Sequence, residues 1–205
     1  MISFEIENSF KNTLVVGIDE AGRGPIAGPV VAACALVDQN KYPDGINDSK
    51  KISPKKRKEI YSRIKEEVKF GIGIVEELII DEINILQATK LAMKKAYEDL
   101  VQKYKIYPEI ILVDGNFVPF ENCDEIEKIL PIIKGDQKSI SIATASIIAK
   151  EIRDEIMLQN HQRFPQYGFE KHMGYPTKFH IEQLKKFGVS KIHRQTFAPV
   201  KLLLN

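Results

Sequence analysis

The sequence predicts an α/β fold: a mixed five-stranded sheet with helices on both faces and a small helical segment at the C-terminus. Two apolar runs, residues 15–18 and 28–37, have the composition of buried strands, and the second is apolar enough to be covered on both faces. Helical and strand patterns then alternate as far as residue 133, which is typical of a sheet covered by helices. With 205 residues, 43% of them hydrophobic, we expect a single domain over residues 1–205.

The first half of the chain contains three predicted strands and one predicted helix. Residues 15–18 form the first strand and end at a Gly-Arg-Gly turn, and residues 28–37 form the second. Ser53 and Pro54 are typical of a helix N-cap and of the first helical position, so they predict a helix through about residue 68. Residues 70–75 then predict the third strand.

The second half alternates between helices and strands. Asn84 predicts the cap of a second helix, and Tyr107-Pro108 ends it before a fourth strand over residues 110–113. A short fifth strand follows over residues 130–133, and a long helix over about residues 139–160. In that long helix small residues recur every four positions, which permits close packing against the sheet. The last part, from Phe164, has a short predicted helix over residues 177–186.

Charge and hydropathy limit the classes of partner only in part. The net charge is +2 with an isoelectric point near 8.4, so the global charge is uninformative. Lysine and arginine concentrate over residues 50–58 and 171–201, a pattern that fits a phosphate backbone but also a solvated surface. No apolar run approaches ~18 residues, so the sequence predicts no membrane contact and a cytoplasmic location.

Acidic residues follow three of the predicted strands. Asp19 and Glu20 follow the first, Asp114 the fourth and Asp136 the fifth. Strand ends at one edge of a sheet can converge, and carboxylate oxygens are the ligands that Mg²⁺ and Mn²⁺ prefer. Taken alone, each acid is better explained as an exposed loop carboxylate or a helix cap. The repeated pattern instead predicts a site for two divalent ions that clamp the reacting oxygens of a phosphodiester.

The turn after the first strand, Gly22-Arg23-Gly24, indicates a phosphate-bearing substrate. Its glycines let the backbone approach a ligand closely, and Arg23 adds a permanent positive charge. The glycine spacing also resembles a dinucleotide-binding loop, but such a loop opens a helix, whereas Pro29 and a strand-like run follow here.

Six short motifs resemble those of type 2 ribonucleases H (ribonuclease HII), and they occur in that family's order over nearly the whole chain. Any one of them is weak, but together they are highly specific, and the Gly-Arg-Gly turn favours type 2 over type 3. The motifs are Gly17-Ile18-Asp19-Glu20-Ala21-Gly22-Arg23-Gly24-Pro25, Asn47-Asp48-Ser49-Lys50-Lys51, Val113-Asp114-Gly115-Asn116, Lys134-Gly135-Asp136, Ala145-Ser146-Ile147-Ile148-Ala149-Lys150 and Gly174-Tyr175-Pro176-Thr177.

The resemblance implies an RNase H-like fold and an endonuclease that cuts RNA in RNA–DNA hybrids. It also implies incision 5′ of single ribonucleotides in duplex DNA, with 5′-phosphate and 3′-hydroxyl products, as in ribonucleotide and RNA primer removal. The family is expected to act as a monomer. Its four metal-binding acids, which hold two Mn²⁺ or Mg²⁺ ions, match Asp19, Glu20, Asp114 and Asp136.

The resemblance also implies a set of substrate contacts. Gly22, Arg23 and Gly24 match the turn that senses the 2′-hydroxyl at the RNA–DNA junction, the group that distinguishes RNA from DNA. Tyr175 matches a tyrosine that stacks on the deoxyribose after the ribonucleotide, so residues from about 164 onward are expected to contact substrate. Without the resemblance, a core or turn aromatic is the better explanation of Tyr175.

Several polar residues have two interpretations. The lysines that we expect to meet phosphates could equally be solvated, and Ser146 is either a substrate contact or a small packing residue. These expected phosphate contacts are Lys50, Lys51 and Lys150. Arg153 and Asp154 are expected to form an ion pair or to be solvated.

The C-terminal region has further polar residues with no clear motif. The four histidines lack zinc spacing and are expected at the surface or near phosphates. They are His161, His172, His180 and His193. Lys191, His193 and Arg194 are expected either to contact a nucleic-acid backbone or to be solvated.

Two other functions remain open from the sequence. A two-metal nuclease of the same superfold that acts on DNA has the same acids, and it is distinguished by having no need for a 2′-hydroxyl. A non-catalytic nucleic-acid-binding module would not need the acids at all.

Overall fold

The computed structural model describes residues 2–47, 49, 52–121 and 126–204. Its five strands form one sheet in the order β3-β2-β1-β4-β5. The strands are β1 (Val15–Ala21), β2 (Val30–Leu36), β3 (Lys69–Val75), β4 (Ile110–Asp114) and β5 (Lys128–Ile132). β1 is antiparallel to β2 and parallel to β4, so the sheet is mixed as predicted.

The acids of β1 lie within the strand instead of after it. Asp19 and Glu20 continue the antiparallel ladder with β2, opposite Ala33 and Ala32. On the other side of β1, the parallel ladder pairs Ile18 with Val113. Since Asp19 and Asp114 each come one residue after that pair, the two carboxylates lie at the same edge of the sheet. The first strand was therefore predicted too short, because β2 extends the pairing of β1 to Ala21.

Helices cover both faces of the sheet, which confirms the predicted fold class. The long helix α2 packs on one face, mainly against β3 and β2, and its buried alanines belong to the same apolar cluster as residues of β1 and β4. α1 and α3 pack on the opposite face. The helix bounds are α1 (Pro54–Glu67), α2 (Glu77–Tyr104) and α3 (Ile140–Arg163).

Two helix caps agree with the sequence, and one helix begins earlier than predicted. The Ser53 side chain accepts a hydrogen bond from the Lys56 amide, and that of Ser139 accepts one from the Ile142 amide. α2 begins at Glu77, and Asn84 breaks it with a φ of 66°. Asn84 nevertheless caps the second part, because its Oδ1 accepts from the Leu86 amide at 3.0 Å. The first part of α2 forms because Ile80 is buried in the apolar cluster between α2 and the sheet.

The C-terminal region packs as a layer against the loop that follows β1. Its short helices are α4 (Phe169–His172), α5 (Lys178–Phe187) and α6 (Val200–Leu203). α5 agrees with the predicted helix and begins after Thr177, whose hydroxyl accepts from the His180 amide at 3.2 Å. A separate apolar cluster joins this layer to Ile26 and Ala27. Within the described residues, no helix has the length and apolar character needed to cross a membrane.

Candidate active site

A cleft of about 470 Å³ opens at the edge of the sheet where β1 and β4 end. It brings together residues that are far apart in the sequence. Asp136 is not part of its wall. The predicted residues that line the cleft are Asp19, Glu20, Gly22, Arg23, Gly24, Asp114, Ser146, Lys150 and Tyr175. Lys50 and Lys51 lie outside the described residues.

Asp19 is a buried carboxylate, with 5% of its surface exposed. Its Oδ1 accepts a hydrogen bond from the Glu20 amide at 2.7 Å, and the Ser146 hydroxyl bonds to the same carboxylate. Burial raises the pKa of Asp19 well above its ordinary value, and the neighbouring charges of Glu20 and Asp114 raise it further. Ionisation of Asp19 therefore costs more free energy than ionisation of an exposed aspartate, and a nearby positive charge would offset that cost.

Ser146 belongs to a short chain of hydroxyls behind Asp19. Its Oγ lies 2.9 Å from the Oγ of Ser49, and both side chains are buried. Ser146 thus contacts a carboxylate of the cleft as well as filling space. Ser49 was not singled out from the sequence, although it lies within one of the quoted motifs.

Glu20 has one satisfied and one unsatisfied oxygen. Its Oε1 lies 3.2 Å from Nη1 of Arg23, whereas its Oε2 is buried without a hydrogen-bond partner in the described part of the chain. Burial raises the pKa of Glu20 even though Arg23 acts in the opposite direction. A buried carboxylate oxygen without a donor is costly, and it is the kind of atom that a cation would satisfy.

Asp114 and Asp136 lie side by side at the ends of β4 and β5. The Oδ1 of Asp114 accepts from the Gly135 amide at 2.7 Å and lies 3.4 Å from the amide of Asp136. Asp136 is in a 3₁₀ turn, Gly135–Gln137, and is only 3% exposed. The chain turns sharply at Lys134, which has a φ of 55°, so Asp136 sits beside Asp114 and not on the cleft wall.

The donor set fits a hard divalent cation in its chemistry. All four groups are carboxylates, Asp19 is disfavoured as an anion, and Glu20 has an unpartnered oxygen. No three acid, histidine or cysteine side chains among the described residues already stand around a common centre as metal ligands. The existing contacts explain this, because Arg23 holds one oxygen of Glu20, and the backbone of the 3₁₀ turn holds one of Asp114.

Two buried arginines hold the Gly22-Arg23-Gly24 turn from behind. Arg194 donates to the carbonyl oxygens of Gly22 at 2.6 Å and Arg23 at 3.1 Å, and it also binds those of Pro25 and Gly28. Arg153 packs against Gly22, which has a φ of 99°, and any Cβ added there would overlap the Arg153 side chain. A side chain at position 22 is therefore excluded both by backbone conformation and by space.

The expectations for Arg153, Asp154 and Arg194 were wrong. Arg153 is 1% exposed and donates to the carbonyls of Ala27, Pro29 and Met173, without pairing to Asp154. Asp154 instead binds Arg57 at 3.1 Å. Arg194 is fully buried and does not face solvent. Each arginine satisfies backbone carbonyls that the short loop leaves without partners, and this explains why a charged side chain is buried there.

Lys150 and Tyr175 both line the cleft. Lys150 projects from α3 with 31% of its side chain exposed, and its Nζ lies 2.5 Å from Asp154. Tyr175 is 46% exposed, so it is not a core aromatic. A Cβ on Gly24 would lie 3.4 Å from Cε1 of Tyr175, so the ring stands directly beside the turn.

The expectation of surface histidines was wrong for three of the four. His172, His180 and His193 are buried, and burial lowers the pKa of each, to about 4 for His180 and about 3 for His193. They pack with Phe169 in the C-terminal layer. His161 lies 2.7 Å from Glu170.

Comparisons with known proteins agree with this geometry. The family model for Ribonuclease HII matches residues 16–200. Ribonuclease HII of Chlamydia pneumoniae is 47% identical over 205 residues, which cover 98% of this chain and 91% of that protein. Ribonuclease HII of Chlamydia muridarum is 51% identical over 190 residues, covering 91% of this chain and 83% of that protein.

A solved structure, Bst-RNase HIII in complex with Mn²⁺, superposes with a TM-score of 0.76 over 94% of this chain and 69% of that one. At 21% identity this likeness shows the fold alone, which is therefore RNase H-like. The matched family model and the close relatives go further: the chain belongs to the Ribonuclease HII family. It is a ribonuclease H, an endonuclease of RNA–DNA hybrids.

Proposed function

We propose that this enzyme also incises duplex DNA on the 5′ side of a single embedded ribonucleotide and leaves 5′-phosphate and 3′-hydroxyl ends. Such an activity serves ribonucleotide and RNA primer removal. The observation that carries the proposal is one cleft containing three carboxylates, a glycine-flanked arginine and an exposed tyrosine. This combination provides separate groups for the phosphate, for the 2′-hydroxyl and for the neighbouring sugar.

Asp19, Glu20, Asp114 and Asp136 are proposed to hold divalent cations, Mn²⁺ or Mg²⁺. The burial of Asp19 and Asp136 and the unpartnered oxygen of Glu20 support this role. When bound, a pair of such ions supplies activation of the attacking water and stabilisation of the leaving 3′-oxygen. The carboxylates themselves fix the edge of the cleft along which the scissile phosphate must lie.

The turn and Tyr175 are proposed to read the RNA–DNA junction. Gly22 and Gly24 bring the backbone close to the ribose, because a side chain on Gly24 would fill the space next to Tyr175. Arg23 is 44% exposed and is available to a phosphate while it contacts Glu20. The flat ring of Tyr175 stacks on a deoxyribose, and a 2′-hydroxyl on that sugar would lose its hydration without gaining a partner.

The other proposed contacts are less direct. Lys150 is proposed to meet a phosphate, and its position in the lining of the cleft supports this role. Ser146 is proposed to orient Asp19, because its hydroxyl bonds to that carboxylate. Lys50 and Lys51 are kept as proposed phosphate contacts. We further propose that residues 1–205 act as one catalytic domain, that the layer from about residue 164 contacts substrate, and that the protein acts as a cytoplasmic monomer.

The test is cleavage of an end-labelled DNA duplex with one ribonucleotide, alongside an all-DNA duplex, in Mn²⁺, in Mg²⁺ and in EDTA. We expect one metal-dependent cut on the 5′ side of the ribonucleotide and an intact control. Cutting of both duplexes would instead indicate a DNA-directed nuclease. Binding without any cut would indicate a non-catalytic module and would contradict the metal site.

A further inference from the structure

A line of buried polar groups runs from the C-terminal layer to the backbone of Tyr175. Nδ1 of His180 lies 2.9 Å from the Tyr175 carbonyl oxygen, and its Nε2 lies 3.0 Å from Nε2 of His193. Nδ1 of His193 lies 3.0 Å from the amide nitrogen of Ser190 and 2.7 Å from its hydroxyl. His180 and His193 are 0% and 1% exposed, so water does not compete for these contacts.

The partners determine the direction of every hydrogen bond in this line. A carbonyl oxygen only accepts, so Nδ1 of His180 must carry a proton and donate to Tyr175. Nε2 of neutral His180 is then an acceptor, and it receives the Nε2 proton of His193. Nδ1 of His193 in turn accepts from the Ser190 amide. Each ring thus donates through one nitrogen and accepts through the other, and a second proton on either ring would set two N–H groups against each other.

A neighbouring histidine holds the preceding residue in the same manner. The Gly174 amide donates to Nδ1 of His172 at 3.2 Å, and the Tyr175 amide donates to the His172 carbonyl at 2.9 Å. The ring of His172 stacks on that of His180 with centroids 4.3 Å apart. The backbone of residues 174–175 is therefore held on both sides by buried imidazoles.

Tyr175 needs such support because its own ring contributes little to its position. Nearly half of the residue is exposed, and the ring stands beside Gly24, which has no side chain to support it. The position of the ring over the cleft thus depends on how firmly the backbone below it is held.

We infer that His180 is a positioning residue for the reaction: its Nδ1–H bond to the Tyr175 carbonyl sets the tyrosine ring where it discriminates between deoxyribose and ribose. This inference rests on the proposed role of Tyr175. The His193–Ser190 pair fixes the tautomer of His180 that makes the bond possible. His180 touches no reacting atom.

Two substitutions test the roles of the two ring nitrogens of His180 separately. Asparagine places its amide nitrogen near the position of Nδ1 and retains a donor to Tyr175, whereas glutamine places its polar group near Nε2. The substrate is a duplex with a tract of four ribonucleotides, in which cuts at the RNA–DNA junction and inside the tract are counted in one reaction. This ratio does not depend on how much of a variant is folded.

We expect His180→Gln to lower the junction-to-internal ratio about fivefold, the effect of one net hydrogen bond, towards the value of Tyr175→Ala. His180→Asn should keep a ratio close to that of the unmodified enzyme. Loss in both variants or in neither overturns the inference. An unchanged ratio in Tyr175→Ala overturns the role of the tyrosine itself, so the two failures are distinct.

A spectroscopic measurement tests the inference without any variant. In the full chain with ¹⁵N-labelled histidine, long-range proton–nitrogen spectra report which ring nitrogen carries the proton. We expect the Nδ1–H tautomer for His180 and the Nε2–H tautomer for His193. An Nε2–H tautomer for His180 would remove its bond to Tyr175 and overturn the inference.

Discussion

Two clusters of buried polar groups lie on either side of the Gly22-Arg23-Gly24 turn, and they are satisfied to different degrees. In front, the carboxylates of the cleft repel one another, and Oε2 of Glu20 has no partner among the residues described. Behind, the rings of His180 and His193 and the guanidinium of Arg194 have hydrogen-bond partners. Both clusters contain buried groups, Asp19 in front and His180, His193 and Arg194 behind, so burial alone does not distinguish them.

This difference in hydrogen bonding indicates which buried polar groups are suited to bind a ligand. A polar group that is satisfied within the protein stabilises the fold, whereas one that is not stores unfavourable free energy until something binds. The rear cluster is therefore a scaffold that fixes the turn and Tyr175. Among the described residues, the front cluster combines mutually repelling carboxylates with one buried, unpartnered oxygen of Glu20, a pattern expected of a cation-binding site. Substitutions in the front cluster should accordingly lower activity without lowering stability. Substitutions in the rear cluster should mainly lower stability.

The largest effect is expected from Asp114→Asn. The amide keeps an oxygen for the Gly135 N–H but removes the charge that attracts a cation, so cleavage should fall by about 10³-fold or more. Repulsion of Asp19 also falls, so the metal-free variant should be at least as stable as the unmodified protein. Hybrid cleavage and urea unfolding in EDTA measure the two effects. Substantial cleavage by this variant would contradict the role of Asp114.

Arg194→Met, in the rear cluster, should instead lower the stability of the protein. It leaves several buried carbonyl oxygens of the turn without their donor, and this should lower the free energy of unfolding by about 3 kcal/mol or more. Burial and the neighbouring Arg153 lower the pKa of Arg194 to about 9, so the guanidinium is still charged at pH 7. The loss of stability in the variant should therefore be measurable near neutral pH. Lys191→Met, an exposed neighbour, is the matched control in urea unfolding. Equal stability of the two variants would show that the turn does not depend on Arg194.

The front cluster was largely predictable from the sequence, because strands that end in acids place them at the sheet edge. Asp19, Glu20 and Asp114 do meet at one cleft. The detailed position of Asp136 beside Asp114 was not predictable, since it depends on a turn with one left-handed residue, Lys134, whose identity does not signal that conformation. Likewise, the apolar pattern located β1 but not the length of its ladder with β2.

The rear cluster was missed because polar residues were assigned to the surface by type. One signal was available: Ser141, Ala145 and Ala149 mark the buried stripe of α3, and Arg153 is the next position at the same spacing. Helical periodicity therefore placed Arg153 inside. No comparable pattern marks His193 or Arg194, because they lie in an irregular segment. His193 bonds to His180, and Arg194 bonds to backbone carbonyls of a loop distant in sequence.

Divalent cations should stabilise the front cluster by an intermediate amount. At 100 times its dissociation constant, Mn²⁺ should raise the free energy of unfolding by about 2.7 kcal/mol. The stabilisation arises because the ion offsets the repulsion between Asp19 and its neighbouring carboxylates and gives Oε2 of Glu20 a partner. Thermal melts with and without Mn²⁺, reversed by EDTA, measure it. The same rise in Asp114→Asn would show that the ion binds elsewhere, whereas a reduced rise in Asp136→Asn would support this residue as a ligand.

The smallest effect is expected from the rear cluster on acidification. His180 and His193 have lowered pKa values in the folded protein, about 4 and about 3 against 6.5, so the folded state resists protonation more than the unfolded one. Their contribution to stability is therefore complete above pH 6.5 and is lost as the pH falls towards 3. Between pH 7.5 and 5.5 urea unfolding should show a loss on the order of 1 kcal/mol from each ring.

A third buried histidine, His172, can also contribute to this loss. Burial lowers its pKa, Glu170 raises it and Lys171 lowers it further. The assignment to His180 and His193 therefore needs a variant. In His180→Asn one titrating ring is gone, so the loss of stability on acidification should be about half as large. An undiminished loss would place the acid sensitivity in other groups, and the rear cluster would then owe its stability to packing and not to its neutral, directed hydrogen bonds.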